Sequence, residues 1–183
     1  MSEIYFRPRS GSEVMRAAPG TRVAMYSCIC ENARRHGAYD TIMQMAHKSL
    51  KWIILLQDPF NEKEGHWIAL RIKPETKEIY FFSSYGGKPD FEKNIWIPKV
   101  LQRYSNQAEN VFNDGMKYMF AREGWTVHYN DYPFQQIGDK SATCGIWAVA
   151  FLNMDMNPDQ FVAYTFHNKV SVYDYYKAFF SRE

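Results

Sequence analysis

The chain has 183 residues, a formal net charge of +2, 46% hydrophobic residues and 17% aromatic residues. That length suggests one domain able to bury roughly 70% of the surface its unfolded form exposes, which argues against disorder. The small charge falls short of a nucleic-acid binder's basic footprint, and three cysteines (Cys28, Cys30 and Cys144) are too few for a disulfide framework and suit a reducing compartment.

Residues 1–22, rich in Arg, Gly, Ser and Pro, read as an arm, leaving 23–183 as a single domain. A helix is predicted over about Ala24–His47, broken or bent at Gly37. The apolar run Lys51–Leu56 reads as a buried strand, and Gln57–Gly65, with Asp58-Pro59 and Asn61, as a loop. His66–Lys73 and Glu78–Ser83 read as strands joined by a turn at Pro74, a β-hairpin closed by Gly86-Gly87-Lys88-Pro89. Phe91–Met119 has mixed helical character, with Ile95, Ile97, Val100, Leu101 and Tyr104 as core candidates. Trp125–Asn130 is a fourth strand, and Asp131–Thr143 a polar loop. Cys144–Met154 is the most apolar helix, and a final helix follows Asn157-Pro158. No apolar run approaches the length of a transmembrane helix, and the N-terminus lacks a signal peptide's apolar core. The expected fold class is α+β, a central mixed sheet flanked by helices.

Chemistry concentrates at three places. Cys144 opens an apolar helix, where unpaired backbone N–H groups lower a thiol's pKa. Gly145 beside it lets a substrate approach the backbone. His66, at a strand start after Gly65, is placed to take the thiol proton and return it to a leaving amine. Gln136 lies eight positions before Cys144, and its side-chain amide can stabilise an oxyanion together with the Cys144 backbone N–H. Gln135 is the fallback for that role. Singly, each residue is more often structural; the three in this order point to a cysteine hydrolase. Cys28-x-Cys30 has the wrong spacing for a zinc knuckle, and the chemistry calls for no metal or other cofactor. His128 and Asp139 lie near the site loop in sequence, with core or surface roles as the default.

The stretches Gly65-His66-Trp67-Ile68-Ala69-Leu70, Tyr80-Phe81-Phe82-Ser83-Ser84-Tyr85-Gly86 and Gln136…Ser141-Ala142-Thr143-Cys144-Gly145 resemble the adenain-like cysteine endopeptidases. This clan includes the adenovirus maturation protease, relatives in large DNA viruses and virophages, and the ubiquitin-like-protein proteases. The resemblance covers about residues 51–155. It implies a papain-like, circularly rearranged fold with His before Cys, and cleavage near small residues in a narrow cleft, with Trp67 as a wall. It also implies a third catalytic member after the strand that follows His66. The clan usually has Asp, Glu or Asn there; this chain has Ser83, which can orient an imidazole but supplies no charge. Three outcomes follow: a dyad oriented by Ser83, an orienter from elsewhere, or a weakened enzyme.

The resemblance further implies protein substrates, viral structural precursors among them, and a setting in host cytoplasm, virus factory or virion. Some clan members are stimulated by DNA or a peptide, for which the mild charge gives no independent support. The alternatives are a ubiquitin-like-protein isopeptidase, a nucleophile at Cys28 preceding His66 in ordinary papain order, and a decayed protease kept as a binding protein.

Overall fold

A computed structural model describes residues 7–135 and 142–180. The sheet grows across the chain in sequence order, β1(Arg22–Met25), β2(Lys51–Asp58), β3(Asn61–Lys73), β4(Glu78–Phe82) and β5(Thr126–Tyr129). The central pairs β2–β3 and β3–β4 are antiparallel and the outer pairs β1–β2 and β4–β5 are parallel, so the sheet is mixed, as the sequence predicts.

Alternation along the strands sends side chains to two separate cores. Ile53, Leu55, Trp67, Ala69, Tyr80 and Phe82 face one layer of helices, α1(Gly11–Ala17), α7(Cys144–Asn153), α8(Pro158–His167) and α9(Val172–Phe180). Ile54, Leu56, Ile68, Leu70, Ile79 and Phe81 face the other, built from α2(Tyr26–His36), α3(Ala38–Lys48) and α6(Val111–Glu123). Between β4 and α6 lie two short helices, α4(Phe91–Trp96) and α5(Lys99–Tyr104). Helix α7 is apolar all round and buried from Gly145 to Leu152, which is why it lies innermost of its layer.

Several elements differ from the sequence reading. Part of the N-terminal arm is helix α1: Ser10 caps it by accepting from the Glu13 N–H, and Val14 and Ala18 bury against α7's layer. The helix predicted over Ala24–His47 begins with strand β1 and divides at Gly37, whose φ is 90°. Gln57–Gly65 is mostly strand, because β2 and β3 continue as an exposed hairpin beyond both cores. Of the five core candidates between α4 and α5, Ile97 is buried, but Ile95, Val100 and Tyr104 are 54%, 62% and 77% exposed. Helix α4 turns charge inward instead, with Glu92 and Lys93 buried, and α5 buries the polar Gln102. The final helix is two, α8 and α9, parted at Lys169, whose φ is 52°.

Candidate active site

The site forms where one end of the sheet meets α7 from one face and α4 from the other. Gly65 precedes the histidine with φ 153°, and a Cβ there would lie 1.8 Å from the Leu56 carbonyl oxygen. Only glycine lets β3 pass β2 so closely at this point. The next residue, His66, pairs with Leu56 and is 2% exposed.

His66 Nε2 lies 3.1 Å from Ser83 Oγ and 3.2 Å from Glu92 Oε2. The Ser83 hydroxyl donates to the same Glu92 oxygen at 2.6 Å, and Ser83 Oγ accepts the Tyr85 N–H at 3.2 Å. Both oxygens facing Nε2 are therefore acceptors toward the ring, which assigns the ring proton to Nε2. Nδ1 makes no other hydrogen bond, and the Cys144 thiol interacts with the imidazole. The Tyr85 ring stacks on the imidazole at 4.0 Å between centroids, 19° from parallel.

Ser83 is held by Asn130, which is fully buried. The Asn130 amide donates to the Ser83 carbonyl at 2.7 Å, and its oxygen accepts the Ser83 N–H at 3.2 Å. This pairing extends β4 by one residue past Phe82 and aims the hydroxyl at the ring.

Cys144 is the first residue of α7 and is partly exposed. Its sulfur accepts the Trp67 N–H at 3.5 Å and a further backbone bond from Gly145. Burial alone would raise this thiol's pKa; the His66 charge and the backbone N–H groups overcome it and pull the value below its ordinary range. Burial likewise opposes charge on His66, but the Glu92 carboxylate and Cys144 push the imidazole up to about 10. Both shifts run in the direction that favours a thiolate–imidazolium pair. Cys30 shows the contrast: burial and the Glu109 carboxylate push it up to about 12.

The remaining predicted residues fall as follows. Gln136 lies outside the described residues, as does Asp139. Gln135 is buried, its side-chain oxygen accepting from Ser84 Oγ at 2.5 Å, so that end of its amide is turned inward. Trp67 is 4% exposed, with its indole N–H donating to the Arg9 carbonyl at 3.0 Å. It packs inside the α7 layer rather than forming an open cleft wall. Gly145 is buried too, and a Cβ there would sit 3.2 Å from Arg9 Cγ and 3.3 Å from Trp67 Cδ1. Close packing of α7 on Arg9 and on Trp67 of β3 accounts for this glycine without a substrate. Cys28 is exposed on α2, and the groups engaging His66 are Cys144, Ser83, Glu92 and Tyr85. His128 pairs with Glu78 at 3.1 Å, near the opposite end of β4 from Ser83. Glu92 was not anticipated from the sequence; Asp90-Phe91-Glu92-Lys93 carries no helical alternation that would turn the acid inward. No group of three or more potential metal-ligating side chains occurs among the described residues.

No protein-family profile matches the chain. Over 85 residues it is 34% identical to the uncharacterized protein V9 of the Sputnik virophage, a match covering 46% of this chain and 45% of that protein. The chain thus matches less than half the length of that relative. Among solved structures it is similar to SUMO protease Ulp1 with the catalytic cysteine oxidized to a sulfonic or a sulfinic acid. Each likeness has 16% identity and a TM-score of 0.38, covering 83% of this chain and 68% of the other.

Proposed function

We propose that the chain is a cysteine endopeptidase, with Cys144 as nucleophile and His66 as base and acid. The observation that carries this is the thiol at the head of α7, held by two backbone N–H donors against a buried imidazole. The thiolate attacks the scissile carbonyl carbon, and the oxyanion is received by the Cys144 backbone N–H and the Gln136 amide, the latter assigned on sequence position alone. The His66 proton on Nδ1 passes to the amine nitrogen as the C–N bond breaks, leaving a thioester. Water then attacks the thioester; Nδ1 takes its proton, and the carboxylate product departs as the thiolate re-forms.

The substrate class proposed is a viral structural precursor, processed in the virus factory or virion of a host cell. The match to a virophage protein supports the viral setting. The test has two stages. Labelling with a peptide electrophile should modify Cys144 and be lost in Cys144→Ala and His66→Ala but retained in Cys28→Ala; loss in Cys28→Ala alone would transfer the role to Cys28. Incubation with structural precursors encoded beside this chain should then give cleavage by wild type and none by Cys144→Ala. Processing of a ubiquitin-like conjugate instead would assign the isopeptidase activity.

A further inference from the structure

The residue matched to the clan's third catalytic member is Ser83, which carries no charge, yet a buried carboxylate also reaches the imidazole beside it. Three atoms define the arrangement. His66 Nε2, Ser83 Oγ and Glu92 Oε2 form a closed triangle with sides of 3.1, 2.6 and 3.2 Å, and all three residues are at most 3% exposed. We propose that Glu92 is the charged positioning residue of the Cys144–His66 pair, acting on His66 Nε2 both directly and through the Ser83 hydroxyl. This rests on the reading of Cys144 and His66 as the reacting pair. The two duties that one carboxylate usually combines are divided: Glu92 supplies charge from α4, and Ser83 supplies direction from the end of β4.

Helix α4 bears the marks of an element built to deliver that carboxylate. It is six residues long, and its polarity is inverted, with Phe91 and Ile95 51% and 54% exposed while Glu92 and Lys93 are buried. Its entry residue, Asp90, adopts a left-handed backbone with φ 64° and anchors it, accepting from Tyr26 Oη at 2.6 Å and the Asn113 N–H at 2.8 Å. Lys93 Nζ anchors the helix from inside, donating to the Gln107 and Glu109 carbonyls at 3.1 and 2.7 Å. Glu92 itself gains little from this burial, since its second oxygen, Oε1, has no hydrogen-bond partner among the described residues. A buried carboxylate satisfied on one side only is a poor stabiliser of a fold. Its contacts run to the imidazole and to the hydroxyl beside it.

The test reads thiol reactivity, so it needs no peptide substrate. The rate of Cys144 alkylation by iodoacetate, an anion that the imidazolium attracts to the thiolate only while the ring is protonated, is followed against pH in a Cys28→Ala background. In Glu92→Gln the imidazolium loses its counter-charge. An opposite charge at this range shifts a pKa by about 1–3 units. The alkaline edge of the ion-pair window should therefore move down by that amount from about 10, so that the ion-pair reactivity above the original edge falls by about 10- to 1,000-fold while that below the new edge changes little. Ser83→Ala keeps the carboxylate in reach and should leave the edge in place with less than about a tenfold loss. Ser83→Asp added to Glu92→Gln returns a charge to the same nitrogen and should restore the edge. Ser83→Asp alone crowds two carboxylates and should not exceed wild type. An unmoved edge in Glu92→Gln, or no recovery in the double variant, overturns the proposal. If Glu92→Gln folds poorly, the recovery seen in the double variant decides. Should the edges move as expected while no peptide is cleaved, the endopeptidase reading fails and the role of Glu92 stands.

Discussion

Cys30 and Cys144 are the same residue type driven in opposite directions by what surrounds them: Cys144 faces an imidazole and two backbone N–H donors, Cys30 the Glu109 carboxylate. For His66 the sign of the pH dependence is fixed by a value of about 10 in place of 6.5. Stability linked to its charge is fully present below pH 6.5 and is lost as pH rises through about 10. The stacked Tyr85 ring adds to this, because the face of an aromatic ring attracts a cation by about 0.5–1 kcal/mol. Tyr85→Leu should therefore lower the alkaline edge of Cys144 reactivity by about 0.4–0.7 pH units, whereas Tyr85→Phe, which keeps the stack, should leave it unmoved. Equal effects of both variants would show that the phenol oxygen, not the ring, matters. His66 and Cys144 were legible in the sequence because each opens an apolar segment: Cys144 begins α7, and His66 stands where β3 passes from its exposed hairpin into the buried sheet. Glu92 was illegible for the opposite reason: it follows an outward-facing Phe91, and only the tertiary position of α4 turns the acid inward.

Strand β3 grips α7 at both ends, and this fixes where the thiol stands. At the near end the Trp67 N–H meets the Cys144 sulfur at 3.5 Å. At the far end Arg71, 7% exposed, donates to the Leu152 and Met154 carbonyls at 2.8 and 3.1 Å, closing the helix C-terminus that has no further turn to satisfy it. Arg71→Met keeps most of the volume but leaves these carbonyls without donors, so it should cost about 2–3 kcal/mol in urea unfolding. Cys144 alkylation at neutral pH should be unchanged in the folded variant, since the near end is untouched; a matching fall in reactivity would mean that α7 shifts as a rigid rod. Apolar runs made β2, the buried part of β3, and α7 legible. The β2–β3 hairpin tip was not, because Glu62, Lys63 and Glu64 are all exposed, leaving no burial alternation to read. The 91–104 stretch misled for a related reason: its apolar residues have the spacing of a core face, but buried polar groups, Glu92, Lys93 and Gln102, hold the helices in place.

At the scale of the whole molecule, the sheet is a wall between two cores, and the site exists only where both are docked. The N-terminal segment belongs to this assembly. Val14 is fully buried against the α7 layer, the Arg9 carbonyl receives the Trp67 indole N–H at 3.0 Å, and the Asn153 amide donates to the Ala17 carbonyl at 2.8 Å. The segment thus touches α7 near its end and the tryptophan next to His66. Burying a valine is worth about 1.5–3 kcal/mol, and each hydrogen bond about 1 kcal/mol. Deleting residues 1–18 should then remove about 4 kcal/mol, which in a chain of this size lowers the melting temperature by about 8–16 °C. Calorimetry of the truncated and full chains checks this. A fall of less than about 2 °C would return the segment to the status of a dispensable arm, with the domain beginning near residue 23. A large fall accompanied by loss of Cys144 reactivity at the same temperature would mean that the segment, the α7 layer and the thiol unfold as one unit.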